Sequence, residues 1–284
     1  MHESKIHAQS REINRIDKKF RKLKSTNQKA LICYIVAGYP DIRTSEDIIT
    51  SLINGGADII EIGIPFSDPI ADGSTIQDAI QNSLTSGTTP DMCLELASRI
   101  RKTFPDIPLI IMTYSNILFR KGYIQFAQQA KESGIDGFII PDIPIEEAKE
   151  YLDSVKKIGI STIFLVSPNT SEKRLKIISK ICTGFLYVIS IFGTTGERKG
   201  FDEYTIESIK RVKKVIADNL PLAVGFGISN PQHVRYMIDA GADGAIIGSA
   251  IIKKIKETEN KDLLLNTLNR FAHEMKNSCK TEKC

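Results

Sequence analysis

The stretch EIGIPFSDPIADG, Glu61 to Gly73, sets one carboxylate inside an apolar run and two more, Asp68 and Asp72, in the segment that follows. If DIIEIG (58–63) is a strand, Ile59, Glu61 and Gly63 share a face, because side chains alternate with a period of two. Glu61 then points into whatever interior the isoleucines line. A desolvated Glu holds its proton toward neutral pH, while an Asp in a polar loop stays ionised and can accept one. Acid and base chemistry on a small molecule needs such a pair. The segment alone is equally consistent with a structural role, in which Glu61 pairs with a core cation and Asp68 and Asp72 shape a turn.

The elements that must position these groups are legible along the chain. Short β-branched runs recur at 31–36, 58–63, 108–113, 136–140, 161–166, 184–190, 221–225 and 243–248. Amphipathic runs fall at 44–55, 91–103, 122–133, 145–157, 171–181, 203–217, 231–240 and 261–276. Eight strand and helix repeats predict an α/β fold, a single (β/α)8 TIM barrel spanning 27–284. Ile13, Ile16, Phe20 and Leu23 predict a helix capping one end of the barrel, within a charged N-terminal extension, 1–26. The long connection 64–90 predicts an extra helix near 75–86. GGAD (55–58), SGID (133–136) and AGAD (240–243) read as helix ends leading into strands, with no chemistry attached.

In such a barrel the active site lies at the C-terminal strand ends. Three Gly-bearing segments follow the last three strands there: GTTGE (193–197), GFGIS (225–229) and GSAI (248–251). Glycines let backbone N–H groups approach an anion, and a short helix starting at Ser249 adds its dipole. One such glycine only permits a turn; three together predict a phosphate cup. Few cations lie in these segments, which favours a small phosphomonoester over a nucleotide.

Other chemistries have little support. The 284 residues carry a formal charge of +4, no Trp and no aromatic-rich basic run, so nucleic-acid binding is disfavoured. Five cysteines without a CxxC pair point to a reducing compartment. Apolar runs are too short to span a bilayer, and the start lacks a signal-peptide core. His2, His7, His233 and His273 fall away from every strand end, so neither a metal site nor a His-based triad is expected.

Together the motifs YIVAGYP (34–40), GADIIEIGIPFSDPIADGSTIQ (56–77), MTYSN (112–116), DGFIIPDIPIEE (136–147), SPNT (167–170), YVISIFGTTG (187–196), VGFGIS (224–229) and GAIIGSAI (244–251) closely resemble the tryptophan synthase alpha subunit family. FSDPIADG, and GTTG with GFGIS, are the specific part; Gly-rich loops alone occur in many barrels. The resemblance implies a lyase of tryptophan biosynthesis, retro-aldol cleavage of indole-3-glycerol phosphate to indole and glyceraldehyde 3-phosphate. It implies Glu61 as the group that protonates indole carbon 3 and can take the glycerol hydroxyl proton, and Asp72 as the group at the indole nitrogen. Tyr187 matches the tyrosine beside the glutamate. By the same matching Tyr34, Tyr114, Ile139, Leu165 and Phe226 form an indole slot, and Gly196, Gly227, Gly248 and Ser249 meet the phosphate.

The resemblance further implies a cytoplasmic α2β2 complex in which this chain binds no cofactor and the beta subunit carries pyridoxal phosphate. Loop 64–73, with Asp68 and Pro69, would then form the docking face together with Asn116 and the segment 143–147. Ser74, Ile191 and Val36 stand where proline, arginine and threonine are frequent, and Ser74 and Ile191 leave the flexibility of the two active-site loops open. A stand-alone lyase, a non-catalytic activator of the beta subunit and another phosphate-binding barrel remain as alternatives.

Overall fold

The computed structural model of the chain describes residues 14–189 and 203–280. Its strands are β1 (Ala30–Val36), β2 (Ile59–Gly63), β3 (Leu109–Met112), β4 (Gly137–Ile139), β5 (Ser161–Ile163), β6 (Leu165–Val166), β7 (Leu186–Ile189), β8 (Leu222–Gly225) and β9 (Gly244–Ile247). They form one parallel sheet in the order β5-β4-β3-β2-β1-β9-β8-β7-β6. The two outermost strands, β5 and β6, are a single run of chain interrupted at Phe164, whose carbonyl accepts the Tyr187 N–H at 3.0 Å. One stave therefore pairs with β4 on one side and with β7 on the other, and the sheet closes into an eight-staved barrel.

Each anticipated strand run holds a strand, and STIFLV holds the divided one. All seven positions of β1 and all five of β2 are buried, as expected where one face fills the barrel and the other lies under helices. The helix expected over 122–133 is preceded by another: Ser115–Lys121 and Tyr123–Glu132 meet at Gly122, whose φ of 82° breaks the helix. The helix expected from 145 begins at Lys149, because the segment after Pro144 forms turns instead. Extra helices do follow β2 and β9, at Ser74–Thr85 and Ser249–Glu257. A helix also occupies Arg15–Ser25 and buries Ile16, Phe20 and Leu23. Ile13 lies outside the described residues.

The barrel's N-terminal end is built on a device repeated three times. Helices ending in the left-handed glycines Gly56, Gly134 and Gly241 turn the chain into Asp58, Asp136 and Asp243. Each aspartate donates its N–H to a carbonyl of the neighbouring strand and accepts that same residue's N–H on its carboxylate. The partners are Leu31 (2.8 and 2.9 Å), Leu109 (2.8 and 3.0 Å) and Leu222 (2.6 and 3.1 Å). Each carboxylate also meets two cations: Asp58 with Lys276 and Lys19, Asp136 with Arg15 and Arg101, Asp243 with Lys29 and Lys213. Arg15 belongs to the N-terminal helix, whose Phe20 ring lies 5.8 Å from that of Phe185 at the foot of β7. That helix is thereby held against the barrel's N-terminal end.

Candidate active site

At the opposite end the strands deliver their last inward side chains to a cavity of about 200 Å³. Register places Tyr34 beside Glu61 across the β1–β2 pair and Leu165 beside Tyr187 across β6–β7. The two tyrosines fit because glycines face them. A Cβ on Gly63 would stand 2.4 Å from the Tyr34 hydroxyl, and one on Gly225 would stand 2.3 Å from the Tyr187 hydroxyl. Small residues on one strand thus admit a phenol from the next.

Glu61 is 1% exposed, and among the described residues its Oε2 has no hydrogen-bond partner. Burial, with the negative charge of Asp72 adding to it, pushes its carboxyl up to about 8. Near neutral pH it therefore carries a proton. Among the described residues no cation pairs with it, which speaks against the core ion pair that the sequence left open. Asp72 comes from the loop after β2. Burial raises its carboxyl above the usual range, while the Tyr114 hydroxyl, donating to Oδ2 at 2.7 Å, draws it back down. Asp72 is only half-buried, so its carboxyl is less completely desolvated than that of Glu61. The phenols of Tyr34 and Tyr187 are held protonated by burial and by the two carboxylates.

Across the cavity stand Phe226, Gly227, Gly248 and Ser249. Ser249 opens its helix with no side-chain cap at Gly248, so N–H groups of the first turn are available to an anion. Phe226 has φ 73°, a left-handed backbone that a bulky residue adopts at a cost of about 1–3 kcal/mol. Its ring meets Tyr187 edge-on, with centroids 6.1 Å apart. Gly196, expected in the cup, lies outside the described residues, as does Ile191.

The cavity thus gathers Glu61, Asp72, Tyr187, Tyr34, Ile139, Leu165 and Phe226 with the three described phosphate-cup residues. Tyr114 is buried behind Asp72 and does not line the wall. Asp68 and Asn116 are exposed outside the cavity, and Pro69 is half-buried. Residues that escaped the sequence reading also line it: Ser74, Thr75 and Ile76 from the first turn of Ser74–Thr85, with Met112, Ile228 and Ile246. Ile246 sits two residues before Gly248, so strand alternation could have found it. Among the described residues no group of three His, Cys, Asp or Glu side chains could hold a metal ion.

The sequence pattern of the family described as tryptophan synthase alpha chain matches residues 20–280. This chain belongs to that family. The tryptophan synthase alpha chain of Methanothermobacter thermautotrophicus is 44% identical over 248 residues, which are 87% of this chain and 91% of that one. The crystal structure of the alpha chain from Legionella pneumophila superposes with a TM-score of 0.85 at 34% identity, covering 94% of this chain and 98% of that one. A chain of the tryptophan synthase complex from Pyrococcus furiosus gives 0.80 at 34% identity, over 88% and 98%. Tryptophan synthase alpha chains are the indole-3-glycerol phosphate lyase subunits of tryptophan biosynthesis, and the fold and function implied by the motifs stand.

Proposed function

We propose that Glu61 and Asp72 carry out the retro-aldol cleavage of indole-3-glycerol phosphate between them. The observation that carries the assignment is Glu61: a buried carboxyl, protonated near neutrality, with an unpartnered oxygen in the same cavity as a second carboxylate. Its proton goes to indole carbon 3, leaving positive charge over the ring nitrogen. Ionised Asp72 stabilises that charge. The bond from carbon 3 to the carbinol carbon then breaks, its electrons restore the aromatic ring, and the carbinol hydroxyl gives its proton to the newly formed Glu61 carboxylate. Glu61 loses one proton and regains one, so indole and glyceraldehyde 3-phosphate leave the enzyme in its starting state.

Tyr187 flanks Glu61, and Tyr34, Ile139, Leu165 and Phe226 provide the apolar walls that indole needs. Gly227, Gly248 and Ser249, with Gly196, hold the phosphate through backbone and hydroxyl donors. Replacing Glu61 by Gln keeps shape and removes the proton. We expect activity to fall at least ~100-fold, with the fold and glycerol phosphate binding kept; an active variant would overturn the chemistry.

We also propose an α2β2 assembly in the cytoplasm with a beta subunit that carries the pyridoxal phosphate. Ile70 and Phe119 support the docking face: they are 79% and 74% exposed, on the loop of Asp68 and Pro69 and on the helix of Asn116. Large apolar side chains exposed in adjacent units mark an interaction surface. Cleavage measured with and without the beta subunit tests this. A high rate without it, unchanged on adding it, would favour a stand-alone lyase.

A further inference from the structure

Tyr114 matches a wall residue by sequence, yet its hydroxyl makes two bonds that have nothing to do with a wall. It donates to Asp72 Oδ2 at 2.7 Å and accepts the Ala71 N–H at 3.1 Å. Its ring stacks on Phe66, with centroids 5.2 Å apart and planes 27° from parallel. One phenol thus grips the loop after β2 at three places, two of them at and beside the carboxylate. Tyr114 is itself fixed from the other side. The next residue, Ser115, donates its N–H to both oxygens of Asp142, at 2.9 and 3.1 Å, and its hydroxyl to Oδ2 at 2.6 Å. A carboxylate from the loop after β4 therefore clamps the start of the helix Ser115–Lys121, immediately beside the tyrosine.

We infer that Tyr114 is a positioning residue for Asp72, holding the carboxylate aimed at the indole nitrogen through a chain that runs from Asp142 through Ser115. The chemistry follows from the direction of the bond. A hydroxyl that donates to a carboxylate favours its charged form, and the charged form is the one the developing positive charge requires. The accepted Ala71 N–H fixes the phenol oxygen, so its proton is directed at Asp72. Without the bond Asp72 would keep its burial but lose the donor that offsets it, and its carboxyl would move further up.

The inference rests on the catalytic assignment of Asp72, and a two-variant cycle separates the two. Tyr114→Phe keeps the ring stacked on Phe66 and removes only the hydroxyl. It should lower kcat by roughly 10-fold or more, as expected for losing a hydrogen bond to a charged group, with KM little changed. The acidic limb of its pH–rate profile should move upward. In an Asp72→Asn background the same change should have little further effect, because the group it acts through is gone. Full activity in Asp72→Asn would sink the role of Asp72 and this inference with it. A loss in Asp72→Asn that multiplies with the Tyr114→Phe loss would overturn the inference alone, as would a raised KM with an unmoved acidic limb, which is the signature of a wall residue.

Discussion

The two ends of this barrel both bury carboxylates, and they treat them in opposite ways. At the N-terminal end Asp58, Asp136 and Asp243 each satisfy a backbone N–H and face two cations. At the C-terminal end Glu61 is as buried as Asp136, each 1% exposed, but among the described residues it faces no cation and leaves an oxygen without a partner. Against the desolvation that would raise it, Lys213 and Lys29 hold the Asp243 carboxyl below its usual value. Burial has no such opposition at Glu61, which rises to about 8. One end spends its buried charge on closing the barrel, and the other keeps a buried acid loaded with a proton. Stability and reactivity are thus segregated along the barrel axis.

The largest test of that contrast removes one carboxylate at each end. Glu61→Gln should remove at least ~100-fold of the activity while leaving the protein folded. Asp136→Ala should do the reverse. It removes the acceptor of the buried Leu109 N–H and the counter-charge of Arg15 and Arg101, which keep the carbonyls of Pro105, Phe104 and Gly134, so unfolding by denaturant should become easier by about 1 to 3 kcal/mol, while kcat per folded molecule holds. A folded but inactive Asp136→Ala would mean that the ends are not separate.

The pH dependence of stability should have opposite signs at the two ends. Glu61 has a folded value of about 8 against an ordinary 4.5, so the folded chain holds the proton more tightly. Its stabilising contribution is complete below 4.5 and is lost as pH rises through 8, on the order of 5 kcal/mol in all. Glu61→Gln escapes this loss. Its melting temperature should exceed that of the unaltered protein at pH 9, and the gap should close toward pH 5. Asp243 is depressed instead, so its contribution is present above 3.8 and disappears as pH falls through its lower folded value. Equal melting temperatures at pH 9 would show that Glu61 is not desolvated.

The sequence displayed the two ends unequally. Period-two and period-3.6 patterns located the eight staves, and Glu61 became legible once DIIEIG was placed as the second stave with FSDPIADG after it, since the carboxylate alone had an equally good structural explanation. GGAD, SGID and AGAD were visible as helix ends, but the aspartates' partners come from distant segments: Lys276 lies far along the chain from Asp58, and Arg15 far from Asp136. Pairing at such separations leaves no local pattern. Tyr114 shows the same limit at the mouth. MTYSN marks it as belonging to the site, yet whether its ring faces the cavity or its hydroxyl faces Asp72 depends on how the loop after β2 folds back. The helix Ser115–Lys121 is too short to display a helical period, so it too was hidden.

The smallest expected effect probes the mouth itself, where two carboxylates share one cavity. Burial is the main cause of the high Glu61 value and the charge of Asp72 the lesser one. Asp72→Asn removes that charge and leaves the burial, so the Glu61 carboxyl should titrate below 8 but still well above 4.5. Infrared difference spectra of the protonated carboxyl stretch, followed through pH, would measure this without depending on residual activity. If the titration dropped to the ordinary range, the proton on Glu61 would be a consequence of repulsion between the pair. The contrast between the ends would then lie in the presence of Asp72 at one of them, since depth in the barrel alone would not explain it.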